Sequence, residues 1–378
     1  MPGIYFHIPF CKQACHYCDF HFSTSLRYKD EMMAAMRQEL ELRSQSGDTK
    51  KLTSLYFGGG TPSILDAGHI QSFIDAVSEY YDIAEDAEIT LEANPDDLDH
   101  KKVQQLRHTD INRFSIGIQS FYEEDLSWMN RAHNASEADA AIKRVQDAGF
   151  ENITADLIYG YPLLTDQKWN ANINKLLEFE IPHISAYSMT VEPQTALDHF
   201  IKKGKSPAMN ESQSAAQFEI LIDKLVNSGF EHYEISNFAK PDRYARHNSS
   251  YWKGDTYIGI GPSAHSFNGD NRSWNIANNA LYIKGISEKT PVAEVEQLSF
   301  ENKVNEYIMT SLRTMWGMDT AKIEDAFGSD TLNQLTNTIQ PFIAQGEVRL
   351  QDGHYYLTAK GKLIADHIAS ELFLEEED

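Results

Sequence analysis

A chain of 378 residues, 41% hydrophobic and 11% aromatic, is long and apolar enough for one large domain with an appendage or for two domains. Its formal charge of −23 repels phosphate backbones, so no nucleic acid is expected as a partner and a role in tRNA modification is disfavoured. No apolar run approaches the roughly 20 residues of a membrane span and the N-terminus carries no signal-peptide pattern, so the expected location is cytoplasmic.

From the N-terminus, short β-rich runs alternate with segments of helical period. Strands are predicted at 3–8 (GIYFHI), 52–57, 87–92, 112–118, 152–158 and 183–189. Helices are predicted at 27–46, at 135–148 between an Asn134 N-cap and Gly149, and at 211–228 ahead of Gly229. Six such units imply parallel strands with helices outside, because a parallel pair needs a long crossover. An open doubly wound sheet and a barrel-like sheet both satisfy this. The unusual motifs nearly all follow strands directly, which favours an α/β barrel with function at the strand C-termini. After about residue 265 the rhythm changes. A helix at 299–316, two shorter helical stretches, a hairpin turned at Asp352-Gly353 and a last helix at 359–373 predict a small winged-helix-like domain. The expected division is therefore 1–265 and 266–378, and the terminal EEED reads as a solvated tail.

The cysteines Cys11, Cys15 and Cys18 all fall within FCKQACHYCDF, after the first strand, and the chain has no others. Three clustered thiols form no disulfide framework and fit a reducing compartment. So close on one loop, they can converge on a soft metal centre. Two centres are open. A structural zinc wants four ligands, and His7, His16 or His21 would have to complete it. A cubic four-iron cluster held by three cysteines instead keeps one iron for a ligand from outside the chain, and Phe20 stands where a fourth cysteine might have come.

The segment FGGGTPS (57–63) follows the second strand, and consecutive glycines let backbone amides approach a ligand and converge on an anion. Glu92 ends the third predicted strand, Gln119 follows the fourth, Arg131 lies twelve residues beyond it, and Asp156 falls in the fifth. Polar groups repeated at strand end after strand end are expected to share one cavity.

Together these motifs resemble the radical S-adenosylmethionine (SAM) superfamily. The resemblance implies a partial (β/α)6 barrel and a [4Fe-4S] cluster on Cys11, Cys15 and Cys18. The unique iron would be chelated by SAM, and reduction would cleave SAM to methionine and a 5′-deoxyadenosyl radical. Over nearly the whole chain, from Tyr5 onward, the similarity narrows to the HemN/HemW group, the oxygen-independent coproporphyrinogen III oxidase-like branch. It implies that Tyr5, Gly59 and Glu92 touch the cluster-bound SAM, with His265 of GPSAHSF nearby. Tyr17 (a Phe in the family), Gly60, Thr61, Gln119, Arg131, Asp156 and Thr190 would line a second SAM pocket.

Phe20 in place of a further cysteine, and a first strand that begins almost at Met1, look like HemW proteins, which bind haem and are described as haem chaperones. The segment HNSSYW (247–252) matches their HNxxYW motif, implying His247 as a ligand of haem iron, with Tyr251 and Trp252 offering flat apolar surface to the porphyrin. The implied partners are haem and haem-acceptor proteins such as respiratory-chain components, membrane-associated ones included, and a homodimer is allowed. The alternative function is a coproporphyrinogen III oxidase performing radical SAM oxidative decarboxylation. A zinc-stabilised binding module is a third reading.

Overall fold

The computed structural model describes residues 2–45 and 51–375. Position 46, the end of the expected first helix, and the last three residues of the EEED tail lie outside the described residues. Six strands form the spine of the main domain: β1 (Gly3–Ile8), β2 (Lys51–Gly59), β3 (Asp82–Ala93), β4 (Arg113–Gln119), β5 (Ile153–Tyr159) and β6 (His183–Ser188). They pair in parallel and in chain order. Each falls on a predicted strand.

The pairing register explains why these strands were readable. Tyr5 sits opposite Tyr56, Glu92 opposite Ser115, and Asp156 opposite Ser185. The alternate positions Ile4, Phe6, Leu55, Phe57, Leu91 and Ile116 are buried and apolar. One face therefore packs on helices while the other carries polar groups toward an interior, the arrangement of a partial barrel. The connecting helices include Lys29–Ser44, Ala135–Asp147 and Glu211–Asn227. Asn134 caps the second of these with a capping box: its Oδ1 accepts from the Glu137 amide at 2.9 Å, and Glu137 Oε2 accepts from the Asn134 amide at 2.9 Å.

The sheet does not stop at six strands. At one edge β7 (Glu231–Glu234) and β8 (Asn237–Ala239) are added, β8 antiparallel to β6. At the other, β9 (Tyr257–Ile260) runs parallel to β1. It is followed by antiparallel β10 (His265–Phe267), β11 (Asn271–Asn275) and β12 (Ala293–Gln297). The buried Glu39 anchors this second edge: its carboxylate accepts from Tyr282 Oη (2.6 Å), Asn275 Nδ2 (2.7 Å) and the Gly261 amide (2.8 Å).

A second hydrophobic core begins at Val304 and includes Ile308, Leu335, Ile339, Tyr355 and Ile368. The main sheet ends at Gln297, ahead of this second core. The small domain holds the helices Phe300–Leu312, Thr320–Phe327 and Ser329–Ala344 and the strands β13 (Met318–Asp319), β14 (Val348–Gln351) and β15 (His354–Leu357). The hairpin turns at Asp352 and Gly353 with φ of 50° and 78°, the two successive left-handed residues of a tight two-residue loop. The expected last helix is broken into Ala359–Lys362 and Ala365–Glu371. No helix among the described residues is long and apolar enough to cross a membrane.

Candidate metal centre and its cavity

A cavity of about 1200 Å³ opens at the C-terminal ends of the spine strands, and Cys11, Cys15 and Cys18 all line it. The loop that carries them is pinned at several points. Cys11 donates its amide to Ser23 O (3.0 Å), Ser23 to Pro9 O (3.0 Å) and His16 to Met129 O (3.0 Å). Burial raises the Cys11 thiol and pushes Cys18 up to about 12, so a soft metal must displace protons on binding. Thr61 Oγ1 donates to Cys11 Sγ and favours its charged form, and Arg131 Nη1 donates to Cys15 Sγ, each at 3.4 Å.

The histidines weighed for zinc are engaged elsewhere. His7 Nε2 bonds His21 O (2.8 Å), His16 Nδ1 bonds Trp128 O (2.8 Å) and His21 Nε2 bonds Asn279 Oδ1 (2.7 Å). Among the described residues no group of three or more His, Cys, Asp or Glu is arranged to hold a metal ion. Phe20, at the end of the loop, is 66% exposed and offers only hydrocarbon. As they stand, Cys11, Cys15 and Cys18 form no such metal-holding group either. They line the cavity together with Arg131, and three thiols without a fourth are the donor set of a multi-iron cluster that keeps one position for an outside ligand.

The glycine loop works differently from the expectation. Its amides do not converge on an open anion site, because the Gly60 amide donates to Ile8 O (2.9 Å) and the Thr61 amide to Phe10 O (2.7 Å). The glycines serve close approach instead. A Cβ on Gly60 would meet Phe10 O at 2.7 Å, one on Gly58 would meet the Tyr5 and Tyr56 rings at 2.8 and 2.9 Å, and Gly59 has φ of +104°. The loop thereby clamps the cysteine segment, with the Glu92 carboxyl beside it at the site. That carboxylate suits an ammonium rather than an anion.

Burial raises Glu92 to about 7, opposed by a hydrogen bond from Tyr56 Oη at 2.7 Å. Asp156 is likewise raised to about 6 by burial, with Ser185 and Ser115 favouring its charged form. Both carboxylates line the cavity with Tyr17, Gly59, Gly60, Thr61, Gln119, Arg131 and Thr190, so nine sequence-derived cofactor residues line the same cavity as the cysteines. Gln119 holds its place at the end of β4 with φ of 64°, a left-handed conformation uncommon outside glycine.

Arg131 ties the set together. Its Nη2 donates to Asn94 Oδ1 (2.6 Å) and Gly117 O (3.0 Å), its Nη1 reaches Tyr17 Oη (3.3 Å), and its buried Nε has no partner. Burial opposes the charge, but Tyr17 and Cys15 outweigh it and hold the cation. Asn94 and Tyr56 were missed from sequence. Their signal was the two-residue period: Asn94 follows Glu92, and Tyr56 follows Ser54 and precedes Gly58 on the inward face of β2.

Tyr5, His247 and His265 do not line this cavity. Tyr5 stacks under Tyr56, with centroids 5.9 Å apart. His265 is exposed on β10 beside Trp274. His247 lies in the helix Arg246–Lys253, 2% exposed, with Nδ1 2.8 Å from Ser54 Oγ and Nε2 2.7 Å from Tyr251 Oη. Burial lowers it to about 3, so it is neutral. With both ring nitrogens bonded and the ring enclosed, this arrangement does not fit an axial bond from His247 to haem iron.

Comparison with known proteins agrees with this geometry. The radical SAM superfamily model matches residues 5–176 and the HemN C-terminal domain model matches residues 298–364. The heme chaperone HemW of Bacillus subtilis is 31% identical over 371 residues, covering 97% of this chain and 98% of its own. This chain belongs to the HemW family of radical SAM proteins. Another HemW, from Lactococcus lactis, is also 31% identical, over 98% of this chain and 97% of its own. The structure of HemN, the coproporphyrinogen III oxidase of Escherichia coli, superposes with a TM-score of 0.85, covering 98% of this chain and 90% of that one at 24% identity. At that identity the likeness to HemN establishes the fold, and it is the end-to-end match to HemW that sets the family.

Proposed function

We propose that this chain is a haem chaperone of the cytoplasm that holds a [4Fe-4S] cluster on Cys11, Cys15 and Cys18, binds SAM beside it, and passes haem to acceptor proteins. The acceptors would be respiratory-chain components, membrane-associated ones among them, and a homodimer is compatible with the role. The observation that carries the reading is the end-to-end similarity to proteins named heme chaperone HemW.

In this reading Thr61 and Arg131 favour the thiolates, and Glu92 receives the ammonium of an amino acid chelator. When bound, the cluster supplies a redox-active iron open to that chelator. Tyr17, Gly60, Thr61, Gln119, Arg131, Asp156 and Thr190 would hold a second SAM, and Asp156 is placed to accept from hydroxyl groups. Haem is the cargo. His247 would bind its iron only in a different arrangement, one that gives up a hydrogen bond to Ser54 or Tyr251.

The test is anaerobic reconstitution followed by haem titration and a product assay on the same sample. Stoichiometric haem uptake, weakened in His247→Ala, without protoporphyrinogen formed from coproporphyrinogen, is the expected result. Protoporphyrinogen at catalytic rates would establish the oxidase instead.

A further inference from the structure

His247 connects two parts of the molecule. Its helix lies across the early residues of β1–β3: Glu88 accepts the amides of Arg246 (3.0 Å) and His247 (3.1 Å), and Ser54 of β2 bonds the imidazole. The imidazole stacks on Tyr56 with centroids 5.0 Å apart and planes inclined by 24°, and Tyr5 stacks on both rings. Tyr251 meets the imidazole edge-on at 4.9 Å. On the far side of this stack the Tyr56 hydroxyl donates to Glu92 Oε1. The same ring that the haem reading needs as an iron ligand is therefore the support of the tyrosine that bonds the carboxylate of the SAM site.

We propose that His247 is a positioning residue for Glu92: clamped by Ser54 and Tyr251 and stacked on Tyr56, it keeps the Tyr56 hydroxyl on the carboxylate, so an iron porphyrin that draws His247 out weakens ligand binding at Glu92. The antagonism with haem rests on the haem-chaperone reading, whereas the positioning role stands without it. Groups that face Glu92 from the neighbouring elements are Tyr5 of β1, Asp156 of β5, Tyr187 of β6 and Tyr251 of the helix. Tyr56 hydrogen-bonds it, and the Gly59 amide beside it adds to the same effect. Both favour the charged carboxylate, so losing the Tyr56 bond moves its ionisation to higher pH.

The first experiment measures SAM affinity by equilibrium dialysis on anaerobically reconstituted wild type, His247→Ala, Tyr56→Phe and the double variant. Each single change is expected to weaken SAM roughly ten- to a hundredfold, the worth of one hydrogen bond to a charged group. The double variant is expected to be little worse than the weaker-binding single one, because both act through the same hydroxyl. Each should also shift the pH midpoint of SAM binding upward, which a general loss of packing would not do. Losses that simply multiply, or an unmoved midpoint, would overturn the positioning role. Should His247→Ala fail to fold, Ser54→Ala takes its place in the same cycle.

The second experiment titrates SAM with and without hemin. Wild type should lose SAM affinity in the presence of hemin and lose hemin affinity by the same factor in the presence of SAM. His247→Ala should show no such coupling. Hemin bound by wild type with SAM affinity unchanged would overturn the antagonism. A wild type that binds no hemin would overturn the haem reading and the antagonism with it, while the double-variant cycle still decides the positioning role.

Discussion

Arg131 Nη1 stands 3.4 Å from the sulfur of Cys15, the only buried guanidinium contact to a cysteine among the described residues. A buried cation at that distance stabilises thiolate and the negative charge of a metal–thiolate centre. The same side chain bonds Asn94 and Gly117 O, so removing it also takes the donor from two part-buried acceptors. Arg131→Met is expected to retain several-fold less iron and sulfide after anaerobic reconstitution, with Arg131→Lys intermediate. Iron and sulfide analysis after desalting checks this.

Gly60 is the tightest point between the glycine loop and the cysteine loop. A Cβ there would lie 2.7 Å from Phe10 O and 2.8 Å from Ile8 O, both backbone atoms. Gly60→Ala must push the two loops apart, so SAM affinity and cluster retention are both expected to fall. Gly68→Ala, where a Cβ meets nothing within 4 Å, is the control and should leave both unchanged.

In the proposed role of Glu92 as partner of the SAM ammonium, SAM binding depends on pH. The Glu92 pKa of about 7 leaves the group largely protonated below neutrality, and an ammonium ligand requires the carboxylate. Affinity is expected to weaken by up to about tenfold per pH unit below the midpoint in wild type, and to lose that dependence in Glu92→Gln. The sign for stability follows from the same shift. The folded state holds the proton more tightly than an unfolded chain with its ordinary 4.5, so this residue favours the fold fully below 4.5 and ceases to do so as pH rises to about 7. Urea melts of wild type and Glu92→Gln across that range separate the two curves.

Glu39 predicts a large stability effect remote from the site. Tyr282, Asn275, Arg43 and the Gly261 amide all donate to its buried carboxylate. Glu39→Ala strands these donors and is expected to cost about 3–5 kcal/mol. The midpoint of urea denaturation reports it.

The spine strands were legible because their outward residues are apolar and their inward ones polar, a period-two pattern that survives in a single sequence. The three cysteines were legible from spacing alone, and so was the Asn134 cap. The added strands were not. Segments such as EHYE, NFA and AEVEQ are only three to five residues long, too short to carry a strand signal alone, and they become strands where a sheet edge is available. The surroundings of His247 were equally hidden. The residues alone suggested a hydrogen-bonded histidine and the family motif a haem ligand. Nε2 bonds Tyr251 four residues on, whereas Ser54 at Nδ1 and Glu88 at the backbone amide lie 193 and 159 positions away, beyond any local pattern. The glycine loop misled for a related reason. Its composition announces close backbone approach, but only the fold reveals that the approaching partner is the cysteine loop.

The most direct test of the central claim is spectroscopic. Anaerobically prepared protein is expected to hold about four irons and four sulfides per chain, and its reduced electron paramagnetic resonance signal should change when SAM is added. Loss of the centre on replacing any one of Cys11, Cys15 and Cys18 completes the expectation. Zinc without sulfide, or an iron signal indifferent to SAM, would contradict the account.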